Sequence, residues 1–265
     1  MLCLQAMGVT QKNVFIVTEI GMNHMGDAAY ADAYLDSLIQ ARPDGVTFQV
    51  REKAYYARQK PGESPYLAPE TYRAAARRMQ DAKIQFGVAL CDLEDIPFFK
   101  EIDTDFYKVL SKDIGNRPLI AAIAKTGKPI YVSTGMSDED EIASFLAGIG
   151  GDLCSQISLI HTQLSYEHAD TNLRAIARLR ERFHVPVAFG SHSTDPNVLC
   201  AALAFDPAAI FFYVKGDRQI QHKDEDHAVP LSRTPALIQE IRRLETMLGD
   251  GIKKKMSNRI AAQKI

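Results

Sequence analysis

Short apolar segments alternate with longer amphipathic ones along most of this chain. The apolar segments are four to six residues long and lead into polar or small residues. Segments this short that are apolar on both faces are typical of parallel strands covered by helices. They predict eight strands, at 14–17, 45–50, 85–90, 105–110, 129–133, 157–161, 187–190 and 209–214.

The segments between these strands carry the spacing of amphipathic helices. In 27–41 the apolar residues recur three to four positions apart. The segment 69–82 begins with a proline, which is favoured in a first helical turn. The segment 138–146 begins with acidic residues, which suit the positive end of the helix dipole. Two more segments, 173–183 and 235–248, are basic and apolar amphipathic helices.

Strict alternation of strands and helices requires parallel strands joined by right-handed crossovers. A (β/α)8 TIM barrel takes about 250 residues, and this chain has 265. An open doubly wound sheet is the competing layout. It is less favoured because no glycine-rich turn follows the first strand and because there are eight units. We therefore predict a single α/β barrel.

Polar side chains with catalytic chemistry lie at the ends of the predicted strands. Active sites of (β/α)8 barrels are built at the C-terminal ends of the strands, so the pattern predicts an active site at that end. The side chains in question belong to Thr18, Glu19, Lys108, Ser111, Ser133, Thr134, His161 and His192.

Composition limits the classes of partner. A hydrophobic fraction of 46% can fill a large core, and a formal net charge of -2 predicts no affinity for nucleic acid or membranes. No apolar run approaches the roughly 18 residues that span a bilayer, and residues 1–7 make a poor signal peptide. The four cysteines are scattered without metal-like spacing. We expect a cytoplasmic protein with reduced thiols, at Cys3, Cys91, Cys154 and Cys200.

Two segments fall outside the alternation. The loop 51–68 carries three tyrosines, and we expect it to fold over the mouth of the barrel. Residues 251–265 contain five cations and no acid, which indicates a solvated tail. The predicted organisation is a barrel over residues 1–250 followed by this basic tail.

At its strand ends the sequence resembles the sialic acid synthase family. Several motifs in the right order carry the likeness, so it is far more specific than one short pattern. Family members usually continue into a small C-terminal antifreeze-like domain, which we do not expect here. The matching positions are 18–27, Tyr107 and Lys108, 127–136, Asn172 and Leu173, and Asp226 and His227.

The resemblance implies a condensation of phosphoenolpyruvate with an N-acetylated amino sugar, catalysed by a homodimer. Lys108, with hydroxyls of Ser111 and Ser133, would hold phosphoenolpyruvate. Glu19 would handle water or proton transfer. On the sugar side the resemblance implies roles for Asn23, His24, Gln49, Tyr166 and Asp226.

The resemblance also implies a divalent metal, Mn or Mg, with His192 as one of two histidine ligands. The second ligand is expected at the end of the eighth strand, where this chain has Tyr213. The site is therefore incomplete, unless Glu19, His161 or Asp226 contributes a ligand. A hydrogen-bonded rim histidine without a metal is an equal alternative for His192.

Other departures affect the anion site. Thr47 stands where the family has lysine, Ala89 lies where a Ser-Thr-Pro pattern is usual, and Leu164 replaces a polar residue. Each lost charged contact to an anion removes about 1.5–3 kcal/mol. Lys215 could supply substitute charge, although a solvated loop lysine is the favoured interpretation.

Two other functions remain open. Lys108 or Lys215 could form a Schiff base with a keto acid, which would make the protein a metal-independent aldolase or lyase. Alternatively, the lost residues mark a catalytically retired barrel that binds a sugar or a synthase partner.

Overall fold

The computed structural model describes residues 13–253, which form a closed parallel barrel. Each strand pairs in parallel with the next, and β1 also pairs with β8, which closes the ring. The predicted (β/α)8 TIM barrel is confirmed. Its strands are β1 Phe15–Gly21, β2 Gly45–Val50, β3 Gln85–Leu90, β4 Phe106–Val109, β5 Ile130–Ser133, β6 Ile157–His161, β7 Val187–Ser191 and β8 Ala209–Lys215, with a two-residue β9, Val229–Pro230, beside β8.

Ten helices follow or connect the strands. They are α1 Ala28–Ala41, α2 Lys53–Ala57, α3 Pro69–Ala82, α4 Ile96–Glu101, α5 Arg117–Ala124, α6 Glu139–Ile149, α7 Gly151–Cys154, α8 Arg174–Phe183, α9 Asn197–Ala202 and α10 Thr234–Leu248, within residues 13–253. The five helices predicted from amphipathic spacing are all present. The short helices α2, α4, α5, α7 and α9 were not predicted individually, because segments of four to eight residues are too short to establish a period.

Some predicted strand ends were wrong by a few residues. β1 continues through Thr18 and Glu19 to Gly21, four residues beyond its apolar run. These polar residues stay in the strand because their backbone still pairs with both neighbouring strands. β4 is shorter than predicted, because Asp105 instead accepts a hydrogen bond from the backbone of Phe86 at 2.8 Å.

Side-chain caps explain where two of the helices begin. Asp27 precedes α1 and accepts a hydrogen bond from the amide of Tyr30 at 3.0 Å. Asp138 precedes α6 and forms a reciprocal capping box with Glu141. Such caps satisfy amides that have no partner inside the helix. The predicted helices 27–41 and 138–146 therefore begin one residue later, since their first acid is the cap.

Two apolar layers are buried, one between helices and strands and one inside the barrel. The inner layer forms the floor of the barrel, and its aromatic rings meet edge to face, with Phe106 at 5.9 Å from Phe15 and 5.7 Å from Tyr131. Side chains two positions apart on a strand face the same side. The floor consists of Val17, Phe106, Ile160, Ala188, Ala209 and Phe211, with Phe15 and Tyr131 against them.

An ion pair ties the last helix to the first strands. Arg242 of α10 contacts the carboxylate of Asp44 and donates to the carbonyl of Val14 at 2.7 Å. Asp44 also accepts from the amide of Ile16 at 2.7 Å. Helix α10, which follows β8, is thus attached to the start of β1, the strand with which β8 pairs.

The long loop 51–68 lies at the C-terminal end of the barrel. A side chain on Gly26, in the turn after β1, would meet the carbonyl of Ser64 at 2.3 Å. The loop therefore packs directly against that turn. The tail beyond residue 253 and Cys3 lie outside the described residues, and the other three cysteines are free thiols. Across residues 13–253, none of the helices has the length and apolar character needed to cross a membrane.

The barrel floor leaves no room for a side chain at position 87 of β3. A Cβ at Gly87 would lie 2.3 Å from the ring of Phe106, which neighbouring rings hold in place. We expect Gly87→Ala to lower the free energy of unfolding by about 1–3 kcal/mol, the usual effect of overpacking. Gly115→Ala is the matched control, since its Cβ would meet no atom within 4 Å. Equal denaturation midpoints for the two variants would contradict this account of the floor.

Candidate active site

The mouth of the barrel is lined by the residues directly above the floor. Glu19 lies two positions after Val17, Lys108 two after Phe106, and Tyr213 two after Phe211, so all three side chains face inward. Pairing of β1 with β8 sets Glu19 beside Tyr213. The strand ends thus bring together the charged residues that the sequence pattern singled out.

A buried ion pair crosses the mouth. The ammonium of Lys108 contacts Oε2 of Glu19, and both side chains are more than nine-tenths buried. Thr47 donates a hydrogen bond to the same oxygen at 3.5 Å. The ammonium also lies 5.5 Å from the ring centre of Tyr213, within cation–π distance. Both contacts to Glu19 use one oxygen, which leaves Oε1 available to accept a proton.

Two serine hydroxyls form a second polar group at the ends of β4 and β5. Ser111 and Ser133 lie 2.7 Å apart, oxygen to oxygen, and Ser111 also accepts from the amide of Gly135 at 3.1 Å. Each hydroxyl carries one hydrogen. Whichever serine donates to the other, one hydroxyl hydrogen is left to donate to a ligand. A Cβ at Gly135 would lie 3.1 Å from the Ser111 oxygen, so glycine keeps this group accessible.

Two histidines and a tyrosine form an aromatic group on the opposite side of the mouth. The rings of His192 and His227 are 4.6 Å apart, and Tyr213 lies 5.8 Å and 5.2 Å from them. Burial, His227 and the Lys108 ammonium lower the pKa of His192 to about 3. Burial is also the main cause that lowers the pKa of His227 to about 4. Both imidazoles are therefore neutral near pH 7, and each can donate one N–H.

Asn23 and His24 are fully buried. The Asn23 amide donates to the carbonyl of Val214 at 2.9 Å and accepts from the amide of Asp224 at 3.0 Å. His24 lies against Phe48 of the outer core, and its Nδ1 accepts from the amide of Gly26 at 3.1 Å. The geometry places both residues in the framework that shapes the mouth.

The other predicted substrate residues are spread around the rim. Gln49 lies on the inward face of β2 above Thr47. Tyr166 is half exposed, and its ring is 5.9 Å from that of His227. Asp226 is exposed. Lys215 contacts the carboxylate of Glu225 and donates to its carbonyl at 2.8 Å, so its charge is already neutralised by a neighbour.

Sequence reasoning missed two residues of the mouth, His227 and Asp224. Burial and the nearby Glu19 raise the pKa of Asp224 to about 7. Both residues belong to the charged loop after β8, whose composition is typical of solvated surface. The signal available in the sequence was the Asp226-His227 motif match, which by itself does not show which acid turns inward.

Comparisons with known proteins identify the family of this chain. The sequence profile of the NeuB family matches residues 33–253. The chain belongs to the NeuB family. N,N'-diacetyllegionaminic acid synthase of Campylobacter jejuni is 25% identical over 92% of this chain and 80% of its own length. Human N-acetylneuraminate-9-phosphate synthase is 24% identical over 92% of this chain and 73% of its own.

A solved structure shows the same architecture. The N-acetylneuraminic acid synthetase of Leptospira borgpetersenii, crystallised with citrate, superposes with a TM-score of 0.85 at 25% identity. The match covers 94% of this chain and 89% of that one. Membership of the NeuB family supports a synthase-like function in sugar-acid biosynthesis.

The residues of this NeuB-family chain do not assemble a resident metal site. Within residues 13–253, no group of three or more His, Cys, Asp or Glu side chains is placed to hold an ion. Among the described residues, the potential ligand next to the His192 ring is His227. Two of the residues proposed as replacement metal ligands already have partners. Glu19 contacts Lys108, and His161 donates to the carbonyl of Thr171 at 3.0 Å. Asp226 is exposed at the rim.

A third imidazole would complete a site from the two present. Tyr213 lies next to both His192 and His227, so Tyr213→His would place a third imidazole beside the two already present. We expect the wild type to bind Mn²⁺ weakly, and Tyr213→His to tighten binding at least about tenfold. Paramagnetic resonance of free Mn²⁺ measures this directly, with Tyr213→Phe as the control. Tight Mn²⁺ binding by the wild type would contradict the arrangement described.

The buried His24 makes stability depend on pH. Burial lowers its pKa from 6.5 to about 4, so the unfolded chain takes up this proton first as the pH falls. Stability from this residue is complete above pH 6.5 and is lost as the pH falls towards 4. At pH 5 the loss is about 2 kcal/mol, at about 1.36 kcal/mol per unit.

Urea denaturation at pH 7 and pH 5 measures the effect. His24→Gln removes the titrating group, so its loss of stability between the two pH values is expected to be about 2 kcal/mol smaller than that of the wild type. His168→Gln is the control, because that histidine is exposed. Identical losses for His24→Gln and the wild type would rule out the buried neutral imidazole.

Proposed function

We propose that this NeuB-family protein condenses phosphoenolpyruvate with an N-acetylated amino sugar to form a nonulosonic acid. The proposal is supported by the buried contact between Lys108 and Glu19 and by the Ser111–Ser133 hydroxyl pair, which lie at the C-terminal ends of β1, β4 and β5. The homodimer and the cytoplasmic location expected from the sequence stay predictions.

The anion would lie between the ammonium and the hydroxyls. Lys108 carries three N–H donors, of which Glu19 engages one, so the others can bind phosphate or carboxylate oxygens. The free hydroxyl hydrogen of the serine pair adds one more donor. Lys108 is the central charge of this site. Thr47 stands where the family has lysine, and neither Ala89 nor the half-exposed Leu164 carries a charge.

The carbon–carbon bond would form between the methylene carbon of phosphoenolpyruvate and the aldehyde carbon of the sugar. A neutral imidazole N–H of His192 can donate to the aldehyde oxygen as charge develops there. The alkoxide formed from the aldehyde takes up a proton from solvent, and water attacks the former enol carbon. The C–O bond to phosphate then breaks, and the remaining hydroxyl proton of the intermediate leaves with the phosphate as the keto group forms. Oε1 of Glu19 can accept the proton that this water loses.

The Schiff-base alternative has less support. Both candidate lysines contact a carboxylate, Lys108 with Glu19 and Lys215 with Glu225. Either nitrogen would have to leave its carboxylate before it could attack a carbonyl carbon, which disfavours this alternative. The retired-barrel alternative predicts no turnover. The titration described next tests whether the barrel still binds phosphoenolpyruvate.

Calorimetric titration with phosphoenolpyruvate tests the proposal. Lys108→Met keeps the apolar stem and removes the charge, and we expect binding to weaken by about 10- to 150-fold. Lys128→Met is the matched control, since Lys128 pairs with Asp103 at 2.7 Å, before β5 and away from the mouth. Absence of binding by the wild type, or equal affinities for the two variants, would overturn the proposal. Thermal melts of both variants verify that they are folded.

A further inference from the structure

A small cavity lies outside the barrel wall, between the ends of β7 and β8 and the start of α10. Phe212 forms part of its lining, and this side chain faces away from the interior because Phe211 and Tyr213 on either side of it face inward. The cavity has a volume of about 80 Å³, whereas a single water needs only about 10–15 Å³. The space therefore admits a small polyatomic ligand without use of the barrel interior.

His227 lies between the mouth and this cavity and has no hydrogen-bond partner. Its ring packs against that of His192, with 4.6 Å between the ring centres, and its side chain also lines the cavity. The side chain is more than nine-tenths buried, and neither ring nitrogen forms a hydrogen bond with any residue in 13–253. Buried polar groups without a partner are rare in folded proteins. A ligand in the cavity would supply the missing partner.

Two serine hydroxyls that line the same cavity have hydrogens to donate. The Oγ of Ser191 accepts from the amide of Ser193 at 3.3 Å, and the Oγ of Ser193 accepts from the amide of Asp195 at 3.1 Å. Both serines are buried lining residues of the cavity. A hydroxyl carries one hydrogen besides its acceptor oxygen, so each serine can donate to a ligand while it keeps its backbone contact.

Arg233 brings positive charge to the cavity. It lines the cavity and immediately precedes α10, and its guanidinium has no ion-pair partner in the described part of the chain. The positive end of the α10 dipole lies at the same place. Asp226 also lines the cavity, but its carboxylate is exposed at the rim and interacts with Tyr166. Guanidinium, hydroxyl and imidazole donors together match the oxygens of an anion.

We propose that this cavity binds a small oxyanion of the phosphate type, through Arg233, His227 and the hydroxyls of Ser191 and Ser193. Phosphate sites of (β/α)8 barrels frequently lie at the loops after the seventh and eighth strands, and this cavity is formed by those two loops. A bound anion would also hold the His227 ring in place against His192. The inference does not rest on the proposed function, because Lys108, Ser111 and Ser133 take no part in this site.

Calorimetric titration with inorganic phosphate tests the inference. Arg233→Met removes the charge, and we expect phosphate binding at the cavity to weaken at least about tenfold. The control is Arg77→Met, an exposed arginine of α3. Any phosphate bound at the mouth is common to both variants, so the difference between them measures the cavity alone. Equal titrations for the two variants, or no phosphate binding by the wild type, overturn the inference.

A second variant tests the sign of the charge. Asp226→Asn removes a negative charge that lines the cavity, so we expect it to bind phosphate more tightly than the wild type. Weaker binding by Asp226→Asn would mean that the carboxylate itself holds the ligand, which contradicts an anion site.

Glycerol phosphate, titrated alongside inorganic phosphate, distinguishes the two sources of the anion. Tighter binding of the monoester identifies the phosphate group of a larger molecule as the ligand, and tighter binding of inorganic phosphate identifies the free ion. Either result supports the oxyanion site, provided that Arg233→Met weakens it. None of these titrations uses phosphoenolpyruvate, so a failure of this inference and a failure of the proposed function are separate outcomes.

Discussion

The contact between Lys108 and Glu19 is the interaction on which the chemistry of the barrel depends. Two opposite charges are buried where the floor ends, and each is tolerated there because the other is present. Removing one partner of such a pair typically destabilises a protein by about 3–5 kcal/mol, since the remaining charge is left buried. The pair joins β1 to β4 across the interior, so the positions of proton acceptor and cation are set together.

Much of the fold followed from local patterns. Short continuous apolar runs located all eight strands, and helical spacing located the five longer helices, because each pattern reflects burial of one element against the next. Strand ends also pointed to Glu19, Lys108 and Ser133, since alternation on a strand determines which side chains face inward. The end of β1 was misplaced because Thr18 and Glu19 are polar yet remain paired in the sheet.

The rest of the mouth depends on contacts between distant parts of the chain. Asn23 binds Val214 and Asp224, about 200 residues further on. No local pattern shows that an asparagine in a turn will hold a loop from the other end of the sequence. The same applies to the choice between Asp224 and Asp226, which are two residues apart in one charged loop and differ only in how that loop folds.

The ring-filled floor has a kinetic consequence. Phe106, Phe211 and the residues packed with them are almost fully buried, which closes the barrel below Glu19 and Lys108. Any two ligands that occupy the interior at once must arrive and depart through the same opening. The one seated deeper then has to arrive first and depart last, so a compulsory order of addition is built into the shape of the barrel.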